Sequence, residues 1–332
     1  MKKNLMTNSG FPMSVNPSED LKPLPHAQID SWYIKTEFEA DGKQLGFTWH
    51  QMLQAYGNEK KVSAESLLMN ASDNIWLNNR ILSSENEENG FDSDSMHCYS
   101  SWGDLNGDMN HMSLDLIIDG NEIHMTFVPN GEILYNGGTG LIEIGNTGSY
   151  QYSFPQMKME GTFILQGHEY KVKNAHAWFD RQYGIPASRP SELTFAPGQN
   201  SWLWIGLSPL MNQLGAVSLW DIYSTDKRFA FGTFLHEDGI MTNASIDISY
   251  DDIWISRKTG HSYPNTIHIA IPSEDFNVTL TSLAKGQDAE FVHEIKLLSG
   301  CQCLYHITGT YRGEKIDRAV DVEMIGDVCG EK

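Results

Sequence analysis

Cysteine is scarce in this chain. Cys98, Cys301, Cys303 and Cys329 are the only four in 332 residues, with no Cys-x-x-Cys pair and no repeating spacing, so a disulfide framework is not expected. No apolar run reaches 18 residues, which excludes a helical membrane span. The opening MKKNLMTNSG carries two lysines with no apolar stretch behind them. That pattern is not an ordinary secretory signal, and a cytoplasmic location is expected. Positive charge is also short: 23 Lys and Arg stand against 43 Asp and Glu, a formal net charge of −20. Neither nucleic acid nor an anionic membrane surface attracts such a polyanion.

The familiar chemical motifs are missing too. There is no His-Glu-x-x-His, no Gly-x-Ser-x-Gly, no Walker loop and no Gly-x-Gly-x-x-Gly opening a helix. The twelve histidines are scattered. The run Asp104-Leu-Asn-Gly-Asp-Met-Asn110 sets oxygen-bearing side chains at alternate positions, as in a calcium loop. Its sixth position is Met109 rather than Gly and its twelfth Asp115 rather than Glu, so it reads as a solvated turn. No metal and no cofactor are expected.

Aromatic residues are plentiful. Nine Trp, thirteen Tyr and fourteen Phe suit sheets and large apolar pockets. A chain of this length exceeds the usual size of one hydrophobic core, so two domains are expected. Residues 1–27 are rich in Pro, Asn and Ser and read as an extended arm over the body. Near-strict alternation follows from Ser31 to Glu39, then Asp41-Gly42, a two-residue hairpin signal, then a returning strand over 45–53. A second hairpin turns at Asp119-Gly120. Residues 83–110 read as an acidic, turn-rich loop. A Pro-rich connection over 185–200 divides the halves, and strands resume from Ser201. The domains are therefore placed at 28–185 and 186–332. Helical periodicity is confined to 62–70 and 288–297. Many short strands with frequent turns indicate an all-β fold of two antiparallel sandwich or barrel domains with few short helices.

The stretch Asn174-Ala-His-Ala-Trp-Phe-Asp-Arg-Gln-Tyr-Gly184 carries the most chemistry. Read as a strand, it sets His176, Trp178 and Asp180 on one face and Ala175, Ala177 and Phe179 on the other. A base, a π-surface and a carboxylate in one line could form an acid/base site in an apolar pocket. The competing reading makes Trp178 core, His176 a satisfied core histidine and Asp180 a partner of Arg181 or a turn cap. Trp32, Trp49, Trp202, Trp204 and Trp220 are further candidates to line a ligand chamber. Asp221 and Tyr223, which share a strand face, are second-rank candidates.

Several ordered segments resemble the AttH/CrtC-like lipocalin family. Its members include carotenoid (hydroxyneurosporene) hydratase-like and kievitone hydratase-like proteins and lipocalin-fold Diels–Alderases. Asp30-Ser-Trp-Tyr33, Asn136-Gly-Gly-Thr-Gly140 and Tyr152-Ser-Phe-Pro155 followed by Gly161 carry the likeness in the first half, with Trp178-Phe-Asp-Arg-Gln-Tyr-Gly184. Trp254-Ile-Ser-Arg-Lys-Thr-Gly260, Tyr263-Pro264 and Val322-Glu-Met-Ile-Gly326 carry it in the second. Tyr305-His-Ile307 stands where the family often has Trp-Glu-Gly, and Tyr183 where Trp is common. The resemblance implies two lipocalin-like β-barrel domains with an apolar ligand held between or within them. It implies a cofactor-independent enzyme acting on a hydrophobic, polyene-like small molecule of specialised metabolism. Cyclisation asks only for a shaped pocket and one donor, and so is favoured over hydration of an isoprenoid double bond, which needs a strong acid and a held water. A non-catalytic carrier is the third reading.

Overall fold

The computed structural model describes residues 15–24, 27, 29–56, 59–144, 147–184, 200–210, 215–224, 227–284, 288–292 and 299–330. Two antiparallel sheets account for most of them. The first holds β1 Ile29–Ala40, β2 Lys43–Tyr56, β3 Glu59–Asn70, β4 Ile75–Ser84, β5 Gly90–Phe91, β6 Met96–Ser100, β7 Gly103–Gly107, β8 Met112–Ile118, β9 Asn121–Pro129, β10 Leu134–Tyr135, β11 Leu141–Ile144, β12 Thr147–Leu165 and β13 His168–Gly184. The second holds β14 Ser201–Leu207, β15 Ala216–Ser224, β16 Lys227–Leu235, β17 Met241–Ser245, β18 Asp247–Ile255, β19 Ser262–Ile271, β20 Phe276–Ser282, β21 Glu290–Phe291, β22 Gly300–Tyr311 and β23 Glu314–Ile325. Each sheet curls into a half-barrel, which is the lipocalin-like form. No helix among the described residues is long and apolar enough to cross a membrane.

The hairpins form where the turn chemistry places them. Asp41 and Gly42 take φ of 50° and 70°, and Asp119 and Gly120 take 52° and 78°. Positive φ at both central residues gives a turn whose twist matches the flanking strands. In the first sheet the order runs β4-β3-β2-β1-β13-β12-β9-β8-β7-β6-β5, so β13, the last strand, lies in the middle beside the first. In the second sheet β14 and β23, again first and last, pair at the centre.

Three apolar clusters follow from this arrangement. One fills the first half-barrel, with Phe47, Trp49, Phe127 and Phe179. A second fills the other, with Leu203, Ile205, Val320 and Val322, and takes in Leu67 and Met69 from the first sheet. The third joins the sheets: Tyr33 and Trp178 from one meet Trp204, Trp220 and Phe231 from the other. The sheets thus pack back to back through their central strands.

Some expectations are corrected. Residues 62–70 are not a helix but part of β3. That strand is buried on both faces, by its own barrel and by the second sheet, so the alternation that marks a half-buried strand is lost. The segment 83–110 is not one loop, since it contains β5, β6 and β7, which extend the sheet from β8. Within 288–297, Glu290 and Phe291 form β21, and residues 293–298 lie outside the described residues. The connection between the halves, 185–199, is also outside them. Each sheet draws its strands from one side of it only.

The described part of the arm contains a short helix, Pro17–Asp20, and is tied down by Arg181. This guanidinium is fully buried and ion-paired to Asp30. Its Nε donates to the Asp20 carbonyl at 2.7 Å and one terminal nitrogen to the Lys22 carbonyl at 2.9 Å. It also lies 4.1 Å from the centre of the Trp32 ring. Removing one partner of a buried ion pair strands the other charge. Arg181→Met is expected to lower stability by about 3–5 kcal/mol in urea unfolding, and pairing it with Asp30→Asn should recover part of that. A loss below about 1 kcal/mol would show that the pair is not closed off from water.

Candidate active site at the seam between the sheets

Register, not sequence proximity, assembles the site. Across six neighbouring strands of the first sheet, Arg80 pairs with Glu65, Glu65 with His50, His50 with Tyr33, Tyr33 with Asp180, and Asp180 with Ser153. On a pleated sheet such partners point to the same side. The result is one polar row on the face turned to the second sheet. The opposing row is Phe231, Trp220, Trp204, Glu323 and Gln302, again cross-strand partners in turn.

The rows touch at Tyr33. Its ring meets Trp204 edge-on at 5.5 Å. Its hydroxyl accepts from Gln302 Nε2 at 2.6 Å and lies 3.3 Å from Asp321 Oδ2, to which it donates. Gln302 Nε2 also donates to Asp321 Oδ2 at 2.7 Å, while Asp321 Oδ1 is buried with no partner among the described residues. Asp180 Oδ1 accepts from Trp178 Nε1 at 2.6 Å and from the Ser153 hydroxyl. Trp202 Nε1 donates to Glu323 Oε1 at 2.8 Å.

Burial dominates the electrostatics. It pushes Asp180 up to about 6, against hydrogen bonds from Ser153 and Trp178 that hold it down. It pushes Asp321 up to about 7, against Lys35. Glu323 is raised to about 7 by burial, which outweighs the Trp202 hydrogen bond, with Asp321 and Asp180 adding repulsion. Tyr33 is held well above its ordinary range by burial and by all three carboxylates. Interacting acids titrate as a set, so the seam carries shared protons near neutrality.

Each candidate residue can now be placed. Trp178 and Asp180 share a face and a hydrogen bond, and Trp202, Trp204 and Trp220 come to the same seam. Trp178 and Trp204 lie 5.9 Å apart, and Trp204 and Trp220 6.2 Å. Gly206 makes room for this: a Cβ there would sit 2.9 Å from both the Trp178 and the Trp204 rings. His176 lies on the same face but further out, half-buried in a cleft of about 330 Å³ that Trp178, Lys35, Glu37 and Arg318 also line. Asp180 is one side chain behind that cleft. Burial, helped by Arg318, pushes the His176 imidazole down, so it is neutral near pH 7.

Trp32 and Trp49 are not brought to the seam. Both face the interior of the first half-barrel, where Trp32 stacks on Phe91 at 4.7 Å. Asp221 and Tyr223 lie on the face of β15 opposite Trp220. Asp221 is held there by Arg228 at 2.9 and 3.0 Å and by the Tyr250 hydroxyl at 2.5 Å.

Sequence reasoning did not single out Tyr33, Lys35, Gln302, Asp321 or Glu323. One signal was present: Asp321 and Glu323 alternate with Val320, Val322 and Met324, an acidic face on a strand otherwise apolar. In a strand bordering solvent that pattern is ordinary, so only the covering sheet gives it meaning.

The profile of the AttH-like family matches residues 12–305. The chain belongs to the AttH-like family. Among curated proteins, this AttH-like chain is 28% identical over 176 residues to dehydratase asqC of Emericella nidulans. That match spans 49% of the chain and 46% of the relative, about half of each. The solved structure of an AttH-type protein from Nitrosomonas europaea shares the AttH-like fold with a TM-score of 0.77 at 17% identity, over 95% of this chain and 97% of that one. Kievitone hydratase from Nectria haematococca has a TM-score of 0.74 at 15% identity, over 97% and 96%. CghA with Sch210972 has 0.60 at 13%, over 98% and 97%.

The acid set makes a prediction. Its protons are held more tightly in the folded chain than at the unfolded carboxyl value near 4, so stability from these groups is lost as pH rises from about 4 to about 7. Buried His50 and His176 act in the opposite sense. A comparison with Asp321→Asn/Glu323→Gln, which mimics the protonated pair, cancels them. The variant should gain on the wild type by more than about 1.4 kcal/mol between pH 4.5 and 7.5 in urea unfolding. A constant gap would mean that both carboxyls are solvated.

Proposed function

We propose that this chain is a cofactor-independent enzyme of secondary metabolism that adds water to, or removes it from, a carbon–carbon bond of an apolar, unsaturated small molecule. The observation that carries the reading is the group of three buried carboxyls, Asp180, Asp321 and Glu323, held near neutrality around Tyr33 and walled by tryptophan rings. The dehydratase relative and the fold shared with a hydratase support it.

The chemistry follows from the residues. The three acids titrate together, and the reactive arrangement is the one that has the proton on Asp180 and a neighbour ionised; from it Asp180 gives its proton to an alkene carbon. The positive charge that develops is stabilised by the faces of Trp178 and Trp204, by about 1–2 kcal/mol each when desolvated. A carboxylate of the set, Asp321 or Glu323, takes a proton from the attacking water, which restores the proton count of the seam. Dehydration is the same path reversed, with the roles exchanged: protonated Asp321 or Glu323 gives its proton to the departing hydroxyl, and the Asp180 carboxylate removes the neighbouring C–H proton. Holding the reactants in this geometry supplies part of the rate.

This ordering differs from the sequence-based one, in which cyclisation led because it asks for less. Ring closure needs the aromatic wall and one donor, and has no use for a second and third acid. A carrier needs only the wall. The aromatic wall at the seam keeps ring closure as the second reading.

Two measurements test this. Asp180→Asn keeps an oxygen to accept from Trp178 and Ser153 but cannot protonate substrate. With the native substrate kcat should fall roughly 10²–10⁴-fold, with the circular dichroism and melting curve retained. Turnover in D₂O should place one deuterium on carbon in the hydrated product. Full activity in Asp180→Asn would remove Asp180 from the chemistry, a hydrated product with no carbon-bound deuterium would rule out the proton transfer to carbon, and a product isomeric with the substrate and free of carbon-bound deuterium would favour pericyclic closure.

A further inference from the structure

The cleft in front of Trp178 has a property that proton transfer does not use. Its volume of about 330 Å³ suits a small ligand. The chain is strongly acidic overall, yet Lys35, Lys173 and Arg318 all line this opening, against Glu37 and Glu39. Lys35 is fully buried and already bound to Glu37 at 3.1 Å.

Arg318, on β23, is different. One terminal nitrogen of its guanidinium donates to the Pro209 carbonyl. Its Nε is buried and has no hydrogen-bond partner among the described residues. Burial works against the charge and nearby Glu37 works for it, and a guanidinium stays protonated either way. That Nε is closed off from the cleft as well, but Pro209 takes only one donor of the guanidinium, and an anionic oxygen in the cleft can accept from the terminal N–H groups that remain through a charge-assisted hydrogen bond.

We infer that the substrate of this cleft carries a carboxylate, bound by Arg318 at the mouth while its apolar body lies over Trp178 toward Asp180. The inference rests on the seam being the reactive site and adds the class of substrate: an unsaturated acid rather than a neutral hydrocarbon. The carboxylate fixes which carbon of the chain reaches Asp180, so Arg318 is a binding and positioning residue.

Calorimetric titration with 5-phenylpenta-2,4-dienoate and its methyl ester tests this without turnover. The wild type should bind the acid at least roughly tenfold more tightly than the ester. Arg318→Gln should bring the two within about twofold, while Arg318→Lys, which keeps the charge but not the planar fork, retains part of the preference. If Arg318→Gln fails to fold, Glu37→Gln provides the second arm: removing this carboxylate frees Lys35 and should strengthen acid binding several-fold without changing the ester. Equal affinities in the wild type, no measurable acid binding, a preference surviving Arg318→Gln, or no gain in Glu37→Gln would each overturn it. An acid preference lost in Arg318→Gln stands even if Asp180→Asn stays active, so the two ideas fail separately.

Discussion

The desolvation of three carboxyls between two sheets is the constraint on which the rest of this structure depends. Asp180, Asp321 and Glu323 would be ordinary anions on either half-barrel alone. Packed back to back, the sheets remove water from all three at once, and no Arg or Lys forms a hydrogen-bonded ion pair with any of them among the described residues. Desolvation then outweighs the hydrogen bonds they accept, and the three are pushed up to about 6 and about 7. Tyr33 and Gln302 satisfy the polar atoms that face them across the gap, so the interface is polar at its centre and aromatic at one flank.

Strand parity keeps that arrangement from collapsing into an ion pair. Asp180 and Arg181 are adjacent in sequence and would neutralise each other in a turn. In β13 they point to opposite faces. Arg181 goes into the first half-barrel, where it pairs with Asp30 and holds the arm. Asp180 is left facing the seam with only neutral donors. The bulge at Pro155 acts alongside this: the register of β12 shifts between Phe154 and Met157, just past the residue that donates to Asp180.

Much of the frame was legible early. The Asp-Gly turns, the alternation from Ser31 to Glu39 and the shared face of His176, Trp178 and Asp180 depend on local geometry, and local geometry is written in neighbouring residues. The assignment of β3 as a helix shows where such reading stops. A strand buried on both sides has no polar face to betray its period. Trp32 and Trp49 show a second limit, because an aromatic residue facing a filled barrel and one facing a second sheet look alike along the chain.

By itself the sequence determined the all-β class, the hairpins, the family likeness and the parity that separates Asp180 from Arg181, because each depends on contacts between near neighbours or on a repeating period of two. Only the tertiary structure decided that Asp321 and Glu323, some 140 residues on, would share protons with Asp180, that Tyr33 would stand among them, and that Asp221 would face the other way. Those outcomes are set by which sheet faces meet, and the meeting of two surfaces distant in the chain leaves no periodic trace in either.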